Sequence, residues 1–127
     1  MNRNLIFLCF LLLFATMSCQ KVEIEDYKTA IVGDWISPEV LFTIPSPGHS
    51  MHLFSEDGAY THKFGDCDED TARGDNTYRI KGDSIIIFFQ TSIENWRDTF
   101  LITHLTKNKL ELRRPAQVKP FKYNRCK

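Results

Sequence analysis

The feature that most restricts the fold of this chain is a regular rhythm of turns beyond residue 31. Turn-forming groups such as Asp57-Gly58 and Lys81-Gly82-Asp83 recur about every ten positions. Between them lie short apolar runs, or alternations of apolar and polar residues with a period of two, which are typical of antiparallel strands joined by hairpins. The pattern predicts eight strands, at residues 31–37 with an extension through 40–44, 51–55, 59–64, 77–81, 84–90, 99–106, 109–114 and 119–124.

Eight hairpin-linked strands must protect their edges, and the common solutions are closure into a barrel or packing as two sheets. We expect an all-β protein with a small eight-stranded antiparallel barrel, while a β-sandwich fits the number and spacing of the strands nearly as well. Helix content should be low, because no segment carries a helical stripe of useful length. Only Tyr27 and Ile31 are spaced to share one face of a short turn before the first strand.

The N-terminal segment has the plan of an export signal. Arg3 precedes eleven residues without a polar group, 5–15, and the small Ser18 stands before Cys19. A bilayer-spanning helix needs roughly 20 apolar residues, whereas a signal peptide core needs only about 7 to 15. The junction resembles the lipobox of bacterial lipoproteins, which implies a signal peptide at 1–18 and attachment of lipid, such as palmitate, at Cys19. Conventional signal cleavage, with Cys19 left unmodified, is the alternative.

Residues 19–30 are expected to form the lipidated N-terminus and a tether. The stretch that begins Gln20-Lys21 and continues with acidic residues resembles the short signal that sends some lipoproteins to the outer face of the outer membrane. A charged, solvated spacer is an equally good interpretation, because such segments contain few large apolar groups. The expected location is therefore the outer membrane, with the domain on its periplasmic or cell-surface side.

Removal of residues 1–18 would leave 109 residues, enough for one domain, which we place at 31–127. Loss of Arg3 would leave 15 basic and 16 acidic residues. The basic residues are scattered among carboxylates and do not cluster on one face, so a nucleic-acid partner is not expected.

Cysteine usage agrees with export. Of the four cysteines, Cys9 lies in the signal and Cys19 is assigned to lipid. The remaining pair, Cys67 and Cys126, would reside in an oxidising compartment and is predicted to form a disulfide. Two free thiols are the alternative, since sequence alone does not pair distant cysteines.

Four motifs together resemble the lipocalin-like domains of bacterial lipoproteins. They are a Gly-x-Trp opening within 31–35, an Asp-Gly hairpin within 53–61, a Tyr-x-Ile step within 76–85 and a closing Leu-x-x-x-x-Leu-x-Leu within 102–112. The order and spacing of the motifs are more specific than any one of them. The resemblance implies a small barrel whose interior binds a small apolar ligand.

Gly33 and Trp35 would share one strand face, where the missing side chain of Gly33 lets a neighbouring segment approach the indole. On a later strand, Arg114 alternates with Leu110 and Leu112, which makes it the expected partner to lie on the Trp35 ring. A lipocalin-like barrel uses such a pair. The alternative is that Trp35 is only a core residue and Arg114 only a solvated one.

The ligand is expected to contact side chains that face inward near the Asp57-Gly58 hairpin. A two-residue turn there would set three opposing pairs on one face of the sheet. The pairs are Ser55 with Tyr60, Leu53 with His62, and Met51 with Phe64. Large apolar groups with one imidazole predict a shallow pocket for a small or slender apolar molecule. The residues assigned to ligand binding are Tyr60, His62, Phe64 and Tyr78.

Metal sites are not expected, nor are cofactors. The four histidines are His49, His52, His62 and His104. Residues three apart in a strand, such as the first two, point to opposite faces. The run Asp66, Asp68, Asp70 begins like a calcium loop, but Thr71 stands where glycine is needed and Thr77 where glutamate is needed.

Catalysis is also not expected, because no short motif places a nucleophile beside a base or pairs two carboxylates. A module that binds a small hydrophobic ligand is the preferred function. The alternative is a structural or interaction lipoprotein whose barrel is filled by its own side chains and which acts through its outer surface. The sequence does not identify a protein partner.

Overall fold

The computed structural model describes residues 21–42, 48–67 and 74–127. Within these ranges, eight antiparallel strands form a closed barrel in which each strand pairs with the next and the last pairs with the first. The strands are β1 (Gly33–Phe42), β2 (Gly48–Phe54), β3 (Ala59–Gly65), β4 (Asn76–Lys81), β5 (Ser84–Gln90), β6 (Asn95–Leu105), β7 (Lys109–Arg113) and β8 (Phe121–Arg125). The predicted all-β barrel is confirmed, and the β-sandwich alternative is wrong. The predicted signal peptide and Cys19 lie outside the described residues.

One end of the barrel is plugged by the segment that precedes β1. A single 3-10 turn, Ile24–Asp26, leads into a short helix, α1 (Tyr27–Ala30). Tyr27 and Ile31 are buried in the core, as their spacing predicts. The backbone N–H of Val22 donates to the carbonyl of Leu105, where β6 ends, at 2.8 Å. We call the end of the barrel that this segment covers the closed end. The opposite end, where β5 finishes and β6 and β8 begin, is the mouth.

The barrel interior near the closed end is filled by side chains that alternation sends inward. Its fully buried members include Ile31, Trp35, Phe54, Ile85, Ile87, Leu105, Leu110 and Leu112. The indole N–H of Trp35 donates to the carbonyl of Ile31 at 2.8 Å, so the polar edge of this large ring is satisfied inside the core. Burial of such side chains, at roughly 1.5–3 kcal/mol each, is the main favourable contribution to the stability of the barrel.

Two strands differ from their predicted bounds for local reasons. The register of β1 with β2 shifts between Ile36 and Val40. Pro38 lies in that stretch and has no N–H to donate to a neighbouring strand. β6 begins at Asn95, earlier than the predicted 99, and pairs with the end of β5. The inward position of the charged Asp98 interrupts the apolar alternation by which this part of the strand would have been recognised.

The register of the β2–β3 hairpin corrects the predicted pairs. The observed pairs are Phe54 with Tyr60, His52 with His62, and Ser50 with Phe64. The turn has three residues, because the N–H of Ser55 donates to the carbonyl of Ala59 and Gly58 adopts φ +88°. A shift of one residue sends every side chain of a strand to the other face. Met51 and Leu53 are therefore on the outer face, opposite to the prediction.

The disulfide between Cys67 and Cys126 is present, with an S–S distance of 2.08 Å. It joins the start of the β3–β4 connection to the residue that follows β8. The predicted bond is confirmed, and the alternative of two free thiols is wrong.

Candidate functional site

Aromatic side chains surround the mouth on the inner face of the barrel. Phe64 and Trp96 are each 48% exposed and Phe121 is 38% exposed. Trp96 stacks on Phe89 with ring centroids 4.0 Å apart and nearly parallel planes. An open groove of about 440 Å³ lies beside this stack, between the end of β5 and the start of β6. We call Phe64, Phe89, Trp96 and Phe121 the aromatic rim. Inner-face rings left in contact with water are the kind of surface that a ligand covers.

A hydrogen-bonded polar cluster lies between the aromatic rim and the filled interior. The Nδ1 atom of His52 is 2.6 Å from the hydroxyl oxygen of Tyr60, and its Nε2 atom is 3.0 Å from the hydroxyl oxygen of Tyr123. The Nε2 atom of His62 is 3.0 Å from Oγ of Ser50. These five residues, Ser50, His52, Tyr60, His62 and Tyr123, form the polar cluster. The β2–β3 register places four of them on neighbouring inner positions, while β8 supplies Tyr123.

The polar cluster is held in its neutral form. Burial lowers the pKa of His52 to about 3, with a smaller contribution from His62 nearby. Burial also raises the pKa of Tyr123 to about 12 and raises that of Tyr60. A neutral imidazole has one donor and one acceptor nitrogen, so one tyrosine hydroxyl donates to His52 while the other accepts from it. The cluster is thus an oriented hydrogen-bond network of neutral groups.

His62 is the member of the polar cluster that reaches the mouth. The side chain of His62 is partly exposed to water, while its partial burial lowers the pKa of the imidazole. The ring of Phe64 meets that of His62 edge-on, with centroids 5.1 Å apart. Ser50, the hydrogen-bond partner of His62, is only 4% exposed, which keeps its hydroxyl out of reach of a substrate. The pair therefore offers a neutral polar contact at the floor of the mouth.

The arginine that lies on Trp35 is Arg125, and the predicted Arg114 is elsewhere. The guanidinium carbon of Arg125 is 4.2 Å from the Trp35 ring centroid. Arg114 lies over Phe100 at 5.3 Å and forms an ion pair with Asp98 at 3.0 Å. The reason is register, since β8 is the neighbour of β1 and Trp35 pairs directly with Arg125.

Gly33 makes room for this contact, as predicted for a close approach to Trp35. Gly33 adopts φ +138°, and a Cβ atom there would overlap the guanidinium of Arg125. Arg125 also donates to the carbonyls of Ala30, Val32 and Lys107. It thereby ties the segment before β1 to the last strand and to the β6–β7 turn. A sequence signal for Arg125 did exist, because it continues the inward alternation of Phe121 and Tyr123.

We expect Arg125→Ala to lower the free energy of unfolding by about 2–3 kcal/mol, because it removes a stacked cation and leaves carbonyls without their donors. The matched control is Arg114→Ala, which loses an ion pair whose arginine is about half exposed and should cost about 1 kcal/mol. Urea denaturation of both variants measures the difference. Equal losses would show that Arg125 has no special role in closing the barrel.

The closed eight-stranded barrel is the architecture that the lipocalin-like resemblance implies. No protein-family model, no curated protein and no solved structure matches this chain. The case for a functional site therefore depends on the geometry of the mouth and of the polar cluster.

The structure separates the four residues assigned to ligand binding. His62 and Phe64 lie together at the mouth. Tyr60 is only 1% exposed and sits one layer deeper, within the polar cluster. The hydroxyl of Tyr78 donates to the carbonyl of Ser55 at 2.7 Å, which directs this side chain toward the turn at the closed end. Trp96 and Phe121 were not assigned from sequence, although alternation from Phe100 would have placed Trp96 inward.

Three of the four histidines considered as metal ligands have other partners. Nδ1 of His49 donates to the carbonyl of Ser37 at 2.8 Å, and His52 and His62 belong to the polar cluster. Among the described residues, no group of three or more His, Cys, Asp or Glu side chains could hold a metal ion. Of the acidic run, Asp66 is described, whereas Asp68 and Asp70 lie outside the described residues. In the part of the chain that the structure describes, no helix has the length and apolarity needed to cross a membrane.

Proposed function

We propose that this protein is a lipid-anchored, lipocalin-like binding protein that holds a small, slender apolar ligand at the mouth of its barrel. The observation that carries the proposal is the aromatic rim, in which Phe64, Trp96 and Phe121 face inward and yet remain partly exposed to water. Large apolar rings left exposed on the inner face of a barrel are the kind of surface that a ligand covers.

The packing of the interior limits the size of the ligand. Trp35 and Phe54 are almost fully buried and fill the barrel beneath the polar cluster. An eight-stranded barrel is just wide enough either to be filled by its own side chains or to hold one small ligand. This barrel combines the two arrangements, because its interior is filled near the closed end while its rings are exposed at the mouth. A shallow site favours a slender chain or a single ring over a bulky polycyclic molecule.

His62 supplies the polar contact that would orient the ligand. One of its ring nitrogens bonds with Ser50. Because the His62 ring is partly exposed, it can meet a hydroxyl, carbonyl or carboxyl group on a ligand. Binding of this type involves no bond-breaking step and needs no cofactor.

Binding of cis-parinaric acid, a slender fluorescent fatty acid, tests the proposal. Phe64→Ala should weaken its binding by about five- to tenfold, because the variant removes roughly 1 kcal/mol or more of apolar contact. Ile24→Ala is the matched control, since Ile24 is exposed to a similar degree, 53%, but lies at the closed end. Fluorescence titration gives the dissociation constants. Negligible binding by the wild type and by both variants would contradict the proposed ligand site.

The anchor is the second part of the proposal, and Cys19 carries it. Two or three acyl chains at this position would hold the protein permanently on a membrane, at about 0.8 kcal/mol for each buried methylene. We expect Cys19→Ser to abolish labelling by radioactive palmitate and to move the protein from the membrane fraction to the soluble fraction. Unchanged labelling of this variant would dispose of the lipid anchor.

The alternative function, an interaction lipoprotein that works through its surface, has its own supporting observation. Ile93 is 96% exposed and Val118 is 93% exposed, and both lie in loops at the mouth. Such residues could contact a protein partner instead of enclosing a small molecule. The double variant Ile93→Ser, Val118→Ser separates the two functions, because binding of the fatty acid should survive it if the aromatic rim is the site.

A further inference from the structure

We infer that the closed end of the barrel faces the anchoring membrane and that the mouth opens away from it. This inference rests on the lipid anchor in the proposed function, but it does not depend on whether the mouth binds a ligand. The surface concerned consists of α1 and the turns at the closed end, and its partner is the bilayer that holds the acyl chains.

The distance from the anchor to the folded domain is short. The backbone of Val22 is fixed by its hydrogen bond to Leu105 at the closed end, and its side chain packs against the core. Only three peptide units separate Cys19 from Val22, and a fully extended chain of that length spans at most about 11 Å. The lipidated residue therefore stays within reach of the closed end.

The barrel is taller than this tether is long. β6 runs from the mouth to the closed end over 11 residues. At about 3.3 Å per residue and a tilt of roughly 35–45°, this strand raises the mouth by about 25 Å above the closed end. A three-residue tether cannot cover that height, so the mouth cannot turn to face the membrane that carries the anchor.

The surface of the closed end carries charges of both signs. The exposed residues at the closed end include Lys21, Lys28 and Lys107 together with Glu23, Glu25 and Asp83. Because both signs are present, we expect no strong electrostatic attraction between this surface and the lipid headgroups. The attachment through Cys19 thus sets the orientation, which should change little with salt concentration. A ligand would enter the mouth from the aqueous side or from a partner there.

Distance-dependent quenching on vesicles tests the orientation. The complete lipidated protein carries one fluorescent unnatural amino acid, either at Lys107 in a closed-end turn or at Ile93 in a mouth loop. Vesicles contain a lipid whose headgroup chelates Ni²⁺, a short-range quencher. With the mouth about 25 Å farther from the headgroups, quenching should be at least about threefold stronger at position 107 than at position 93.

Three controls make each outcome decisive. Equal quenching at the two positions, or stronger quenching at position 93, overturns the inference, and so does a wild-type protein that fails to attach to the vesicles. A Gly-Ser insertion of about 12 residues after Gln20 should remove most of the difference, because it adds a flexible span of about 20 Å. Titration of cis-parinaric acid on the same vesicles reports the ligand proposal separately, so unequal quenching without fatty-acid binding would retain the orientation and reject only the ligand.

Discussion

Replacing both Cys67 and Cys126 by serine should lower the free energy of unfolding by about 4 kcal/mol. The bond closes a loop with a sequence separation of 59. A cross-link of that length removes conformational entropy from the unfolded chain equivalent to about 4 kcal/mol. Urea denaturation of the wild type and of the double variant measures the effect.

The position of the disulfide also predicts which part of the barrel should loosen when the bond is removed. β3 and β4 are joined through only two described residue pairs, Ala59 with Thr77 and Tyr60 with Asn76. The disulfide secures the chain just beyond this weak seam. We therefore expect amide hydrogen exchange in 61–65 to rise more than in β5 or β6 when the bond is removed.

Dithiothreitol provides the control for the disulfide. It should lower the stability of the wild type to that of the double variant and should leave the double variant unchanged. A loss below about 1 kcal/mol in the double variant would mean that the bond adds little to a fold already held by its strands.

Acid should destabilise the protein through His52. Burial lowers the pKa of this residue to about 3 in the folded state, against 6.5 in an unfolded chain. Between these two values the unfolded chain binds a proton that the folded protein does not, so the free energy of unfolding falls as the pH decreases. The contribution is complete above about pH 6.5 and is lost at about 1.4 kcal/mol per pH unit below it, or about 5 kcal/mol by pH 3.

His52→Gln isolates this effect. The variant is less stable at neutral pH because the polar cluster loses its bond to Tyr60 or Tyr123, but its stability should fall less steeply between pH 6 and 4 than that of the wild type. His62→Gln serves as a comparison, because its pKa is lowered in the same direction by partial burial. Denaturation curves at several pH values, with NMR of the imidazole protons, measure both slopes. A His52 ring that titrates near pH 6.5 in the folded protein would refute the prediction.

The barrel could be predicted from sequence because each part of its pattern is local. Period-two alternation and recurring turns located all eight strands, and the pairing of consecutive strands followed from short connections. Closure was harder to predict, since the pairing of β1 with β8 joins segments far apart in the chain. Tyr27 and Ile31 were recognisable because a short helical spacing places two large apolar residues on one face.

The functional site was predicted less well, and the reasons are physical. Asp57-Gly58 fits a two-residue turn, but Gly58 is the last residue of a three-residue turn, and that difference reversed the faces of β2. His52 therefore faces the inside of the barrel, whereas Met51 lies on the outer face of β2, where it is nevertheless buried. Arg114 was preferred to Arg125 because alternation within one strand is visible in a sequence, while the choice of neighbouring strand is not. Trp96 was missed because the inward Asp98 masks the alternation of β6.

The contacts of Arg125 also restrict the order in which the molecule can fold. This side chain donates to the carbonyl of Val32, which lies 93 positions earlier in the chain. The segment before β1 and β1 itself therefore gain these hydrogen bonds only when β8 is in place, however early they emerge during synthesis. A folding nucleus confined to the N-terminal half of the chain would lack the hydrogen bonds that Arg125 donates. Folding through such distant pairings is slow, typically milliseconds to seconds. During that time the edge of β1 that pairs with β8 stays exposed.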